Sequence, residues 1–285
     1  MGNDLQRISR NMRGRVYRHM LRTRGWKYRV FLRQLRLFKY LAFAPTRGAF
    51  LENYYTLMRF LDDIVDGDHP LPDGIESAET YISDLILFTR SVREPRDEAE
   101  YLLAHCFGLA QKFGEDFTKE TCDILESLLF DAQRRGRGKI YPKKELARHF
   151  YKLDIRGTIR ATLKVFKDDP DKFTDLIPLG TASRYQFDLE DLEEDIRNGY
   201  INISREDFER LDMTLNDLYN INSGPMIIWR KEHALEGIRL IEKHHEQLLQ
   251  NDFSLLERMA FKYVYEKPAL KVFNNEIREP GITPI

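Results

Sequence analysis

Cysteine is almost missing from this 285-residue chain: Cys106 and Cys122 are the only two. Two isolated thiols cannot build a disulfide framework or a cysteine-rich metal knot, so reduced thiols in a cytoplasmic protein are expected. No run of about 18 apolar residues occurs, which excludes a membrane-spanning helix. The leading segment has neither the apolar stretch of a signal peptide nor the acid-free, serine-rich character of a transit peptide. Strand-like alternation is scarce, and internal repeats and low-complexity tracts are absent. No Gly/Ser-rich or Pro-rich linker divides the chain, so one large domain is expected.

What is present is helical periodicity. Apolar positions recur every three or four residues through 49–66, 80–92, 99–113, 120–133, 146–166, 178–197 and 225–250, the spacing of one helix face. Breaks fall at Pro45, at Asp68 to Gly74, at Asp168-Asp169-Pro170 and at Gly224-Pro225. An all-α fold follows. The 42% hydrophobic content suffices for a core, while 32% charge and a mean hydropathy of -0.52 demand a heavily ionised exterior.

The net charge of -1 conceals an asymmetry. Twelve arginines and lysines lie between Arg7 and Lys39, against the single acid Asp4. The expected organisation is a basic helical arm over 1–39, a helical domain over 40–278, and a tail over 279–285. The arm suits two roles equally: peripheral contact with an anionic membrane, or packing on the acidic body of the same protein. No nucleic-acid-binding signature accompanies it.

With 46 acids in the chain, chance alone yields about seven acid pairs four residues apart, so spacing by itself proves little. The neighbours of two such pairs carry more. At about 100° per residue, Tyr54, Leu57, Met58, Leu61 and Val65 form an apolar stripe. Tyr55, Arg59, Asp62 and Asp66 run beside it, with Asp63 further round the helix. The pattern repeats later: Ala182, Tyr185, Leu189, Leu192 and Ile196 are flanked by Arg184, Asp188, Asp191 and Asp195. Glu190 and Glu194 fall on other faces. Carboxylates at the edge of a buried face suit the lip of a cavity.

Aspartates four apart on a helix are about 5–6 Å apart at Cβ, so both can reach one cation. Mg²⁺ commonly takes one or two carboxylates and completes its oxygen shell with water and substrate phosphate; Mn²⁺ would serve in its place. Two facing helices of this kind could clamp a diphosphate and promote its departure as a leaving group. Arginines such as Arg59 would donate to phosphate oxygens.

The residues resemble a known family. Arg59-Phe60-Leu61-Asp62-Asp63-Ile64-Val65-Asp66-Gly67, with Tyr55 before it, is similar to the first aspartate-rich motif of squalene/phytoene synthases. Asp191-Leu192-Glu193-Glu194-Asp195-Ile196-Arg197-Asn198-Gly199 resembles the second. Tyr151, Gly157-Thr158-Ile159, and Phe38-Lys39-Tyr40 followed by Pro45 and Arg47 match other family positions. The similarity runs in order over roughly residues 36–275. It implies a single helical bundle of the isoprenoid synthase type with a central cavity. It also implies head-to-head condensation of two prenyl diphosphates of the farnesyl or geranylgeranyl class, through a cyclopropylcarbinyl diphosphate, with Mg²⁺. Asp62, Asp66, Asp191 and Asp195 would be the catalytic metal-binding acids, with Asp63 and Asp188 as further metal ligands. Tyr55, Arg59 and Lys39 would contact diphosphate, and Arg184 and Arg160, which depart from the family pattern, would be extra arginines gripping phosphate. Nothing in the sequence calls for NADPH.

The chain also departs from the family. Arg184, Phe187 and Glu190 stand where the second helix usually has glutamine, asparagine and arginine. Arg156 and Arg160 flank the Gly-Thr segment in place of small residues, and Asn202 and Ser204 replace a tyrosine and a proline. Two alternatives therefore stay open: a terpene synthase acting on one prenyl diphosphate, and a non-catalytic relative serving as an assembly or lipid-binding factor. Arg156 and Arg160, near Lys152, suit salt bridges as well as phosphate. His105 and His244-His245 read as core or surface residues. Arg134 to Lys139 lacks the ending of a phosphate loop and reads as a solvated turn.

Overall fold

The computed structural model describes residues 2–23, 32–33, 45–91 and 93–278. Among them the structure is all-α, with no strand. Lys39, Phe38-Lys39-Tyr40 and the tail 279–285 lie outside the described residues. The chain divides into two compact units, Met1–Gln133 and Arg134–Ile285. No linker marks the division because it falls in the last turn of a helix.

The first unit holds α1 (Gly2–Thr23), α2 (Pro45–Val65), α3 (Ala78–Arg90), α4 (Glu98–Gln111) and α5 (Thr118–Arg134). Helix α2 packs on α4, α1 and α3. Tyr54, Leu57, Leu61 and Val65 are buried, as the apolar stripe predicts, but so are Phe50, Thr56, Phe60 and Ile64. A helix with neighbours on several sides buries far more than one stripe. Phe50 packs against Tyr54 and Phe117, with ring centroids 5.0 and 4.1 Å away, and the Tyr54 hydroxyl lies 3.0 Å from Thr121 Oγ1. Ser77 and Asp97 accept from the backbone N–H groups of Thr80 and Glu100, satisfying otherwise orphaned donors at the starts of α3 and α4.

The apolar side of α1 buries Met12, Val16, Tyr17 and Met20 against α4 and α2. Ser9 donates to Asn53 at 2.5 Å, and Arg13 and Arg15 reach Glu52 and Glu98. One side of the basic arm therefore does pack on acids of its own chain.

The second unit begins with α6 (Lys143–Phe150), which continues through a π-helical segment (Tyr151–Ile159) into α7 (Arg160–Phe166). After a 3₁₀ turn (Pro170–Leu176) come α8 (Ile177–Glu190), α9 (Leu192–Arg197), α10 (Arg205–Arg210), α11 (Leu215–Leu218) and α12 (Gly224–Gln250). The chain then forms α13 (Leu255–Ala260), a second π segment (Phe261–Glu266) and α14 (Lys267–Arg278). Helix α12 packs on α8 and α14, burying Ala182, Met226, Trp229, Ile241 and Phe273. Gly180 lets α8 approach the first π segment, since a Cβ there would lie 2.1 Å from Ile155 Cδ1. Short helices such as α10 and α11 escape periodicity analysis, yet Ser204 and Thr214 cap them as their residue types dictate.

The His244-His245 pair acquires a partner in the second π segment. Glu266 Oε1 lies 3.4 Å from His244 Nε2, and Oε2 lies 3.0 Å from His245 Nε2. Burial alone would raise the pKa of Glu266, but the two imidazoles outweigh it and hold the carboxyl below its ordinary 4.5. A depressed carboxyl pKa contributes stability above about pH 4.5, lost as pH falls through the folded-state value. We expect Glu266→Gln to flatten the acid limb of the stability curve. Urea denaturation at several pH values from 6 down to 3 measures this, and parallel curves for the two proteins would refute it.

Candidate active site

The first acid set lies at the end of α2, with Asp62 and Asp63 in its last turn and Asp66 just after it. The Asp66 N–H donates to the Asp62 carbonyl at 2.8 Å, so the two carboxylates stand one turn apart. Gly67 ends the helix at a φ of 75°, donating to the Ile64 carbonyl at 3.1 Å. A residue without Cβ adopts that left-handed conformation most readily. Arg59, nearly buried, places Nη1 2.6 Å from Asp62 Oδ2 and Nη2 2.6 Å from Asp63 Oδ1. The Asp62 side chain remains 39% exposed while that of Asp63 is 4% exposed. The sequence reading put Asp63 outside the principal stripe. The structure makes it the most buried acid of the three, because Arg59 one turn earlier forks across both neighbours. Tyr55 and Asp66 are half-buried.

The second set is built differently from a single helix over 178–197. The helix breaks at Asp191, which has φ -104° and ψ 7° and separates α8 from α9. Asp188 belongs to α8 and Asp195 to α9. The Asp195 N–H still donates to the Asp191 carbonyl at 2.8 Å, so this pair too stands one turn apart. Asp191 is exposed, Asp195 half-buried and Asp188 buried; Glu190 and Glu194 are exposed as expected.

Three cationic or polar groups hold this set. Arg184 Nε donates to Asp188 Oδ1 at 2.9 Å while its guanidinium lies 4.5 Å above the Phe150 ring. His233 Nε2 lies 3.4 Å from Asp188 Oδ2, its ring stacked between Tyr185 and Trp229 at 3.7 and 4.6 Å. Burial would push the Asp188 carboxyl up, yet Arg184 and His233 together hold it below the usual value. Asp195 goes the other way: burial first, then Asp188 and Asp191, push it up to about 7. Asn202 Nδ2 donates to Asp195 Oδ2 at 2.8 Å, and Asn202 Oδ1 accepts from Arg134 Nη1 at 2.7 Å.

Residues 135–139 are exposed, as a solvated turn should be, but Arg134 is no part of it. It is buried, lies over the Tyr200 ring at 5.1 Å, and anchors the loop that follows α5. Within that loop the Gly136 N–H donates to the Asn198 carbonyl at 2.9 Å. Arg160, expected at diphosphate, reaches Asp171 at 3.4 Å and lies 5.8 Å from the Phe173 centroid.

His233, Arg134 and Asn202 are the site residues that sequence reasoning missed. His233 lies on α12, where the acid at helical spacing is Glu236, while its actual partner Asp188 is 45 positions earlier. Asn202 was visible only as a departure from the family pattern. We expect His233→Phe to preserve stacking between Tyr185 and Trp229 while leaving Asp188 to Arg184 alone. The cost should be about 1–3 kcal/mol, the scale of leaving a buried charged group with one polar partner fewer, measured by urea denaturation. A variant as stable as the wild type would show that the imidazole does not support Asp188.

Among the described residues, no group of three or more His, Cys, Asp or Glu side chains is placed to hold a metal ion. Mg²⁺ does not require three, since one or two carboxylates with water and phosphate complete its shell. The pairs Asp62/Asp66 and Asp191/Asp195 offer that donor set. The raised pKa of Asp195 reports carboxylates crowded in a poorly solvated place, which a cation would relieve.

No family model matches the chain, and no curated protein matches it in sequence. Solved structures do match. Squalene synthase HpnC from Alicyclobacillus acidocaldarius superposes with a TM-score of 0.62 at 14% identity, covering 96% of this chain and 90% of that one. A dehydrosqualene synthase in complex with ligand gives a TM-score of 0.57 at 16% identity, covering 94% and 83%. At these identities the likeness establishes the fold: this chain has the all-α architecture seen in squalene and dehydrosqualene synthases.

Proposed function

We propose that this chain is a prenyltransferase that ionises allylic prenyl diphosphates of the farnesyl or geranylgeranyl class with Mg²⁺ and joins two of them head to head. The observation that carries the proposal is the second acid set. Asp195 is held one turn from Asp191 at a pKa of about 7, in a chain with the fold of a squalene synthase and a dehydrosqualene synthase. Carboxylates kept crowded and partly dry are costly for the fold and suit a site made to take a cation.

In this reading Asp62 and Asp66 of the first unit, and Asp191 and Asp195 of the second, would hold Mg²⁺. When bound, Mg²⁺ neutralises charge that builds on the departing diphosphate. Arg59 fixes the carboxylate of Asp62 and shares its charge with Asp63. Asn202, braced by Arg134, orients Asp195. Arg184 and His233 anchor Asp188, which stiffens the end of α8 next to Asp191.

One observation favours a second reading, ionisation of a single diphosphate by a terpene synthase. Arg184 replaces the family's glutamine and is engaged with Asp188 and Phe150, which withdraws it from a second substrate. Incubating the protein with C10, C15 and C20 diphosphates and Mg²⁺, then analysing extracts by mass spectrometry, separates these outcomes. A C30 or C40 hydrocarbon supports condensation, and a cyclic or hydrolysed monomer supports the single-substrate reaction. No diphosphate release under any condition would overturn both and favour a non-catalytic role.

A further inference from the structure

We propose that the outer face of α1 is a docking surface for anionic lipid bilayers, acting by electrostatic adsorption rather than insertion. The inference is independent of the proposed reaction. Helix α1 has two distinct sides. Met12, Val16, Tyr17 and Met20 face inward and are buried, while Arg7, Arg10, Gly14, Arg15, Arg18 and Arg22 are exposed. At about 100° per residue the exposed arginines fall within roughly 140° of arc, a band about 22 Å long on one side of the molecule.

Internal pairing accounts for only part of this charge. Arg13 and Arg15 meet Glu52 and Glu98 at the flank. Arg18 Nε donates to the Gly14 carbonyl at 3.1 Å, keeping its guanidinium along the helix surface. Gly14 opens a notch in the band, since a Cβ there meets nothing within 4 Å. A shallow groove lined by Arg10, Asn11, Gly14, Arg15, Arg18 and Glu98 results.

Two features select a bilayer over other polyanions. The apolar side of α1 is already committed to α4 and α2, so only the charged side is available, which suits headgroups and not acyl chains. The exposed band carries no aromatic side chain on which a nucleic-acid base could stack.

The test is co-sedimentation of the full chain with phosphatidylcholine vesicles, with and without 30% phosphatidylglycerol, at 50 and 500 mM NaCl. Binding is expected only with phosphatidylglycerol and only at low salt. The triple variant Arg10→Gln/Arg18→Gln/Arg22→Gln should bind about a hundredfold more weakly. A control with the same charge change at exposed positions elsewhere, Lys119→Gln/Lys144→Gln/Lys262→Gln, should lose less than about threefold. Gly14→Arg fills the notch with a further cation, improves helix propensity, and should tighten binding about fivefold. No binding to phosphatidylglycerol vesicles would overturn the proposal. So would equal losses in the two triple variants, or a strong gel shift with single-stranded RNA when vesicles are not bound.

Discussion

Asp191→Asn is expected to slow diphosphate release from a prenyl diphosphate by about a thousandfold or more, with the thermal transition unchanged. A metal-assisted leaving group draws several kcal/mol from the cation, and about 1.4 kcal/mol corresponds to tenfold in rate. Asp191 is exposed, so its replacement touches no core contact and should alter stability by no more than about 0.5 kcal/mol. Asp62→Asn should behave alike, because Arg59 keeps Asp63 as a partner. Release of diphosphate at the wild-type rate by both single variants would remove the carboxylates from the mechanism.

Gly199→Ala should strongly destabilise the second unit, by about 2–5 kcal/mol. Its φ of 79° is strained for alanine, worth about 1–2 kcal/mol. A Cβ there would also lie 2.7, 2.8 and 2.9 Å from Gly136 Cα, N and C. Those are backbone atoms that cannot swing aside, so overpacking adds about 1–3 kcal/mol. Gly114→Ala is the internal comparison, because its φ of 78° is similar and its Cβ would meet open space. Urea denaturation of both variants should show the Gly199 loss exceeding the Gly114 loss. Equal losses would mean that the turn after Asp195 is not pressed against the loop carrying Arg134.

Much of the architecture was legible beforehand. Helices expected over 49–66, 80–92, 99–113, 120–133 and 225–250 correspond to α2 through α5 and α12, with ends shifted by a few residues. Periodicity works there because each helix buries a consistent side. It failed at 178–197, where the break at Asp191 leaves the apolar spacing intact and so leaves no trace in the pattern. It was also silent on the π-helical character of Tyr151–Ile159, where Thr158 Oγ1 donates five residues back to the Leu153 carbonyl.

By itself the sequence determined the all-α class, the two sets of acids four residues apart, and the basic arm. All three are local, set by side-chain spacing along one helix at a time. Tertiary structure decided which acids are paired and with what. Asp188 is bound by His233 from α12, Asp195 by Asn202, and Asn202 in turn by Arg134, which lies 68 residues away. Such pairings depend on which helices come to lie side by side. The burial that makes an unpaired carboxylate costly arises only once they do.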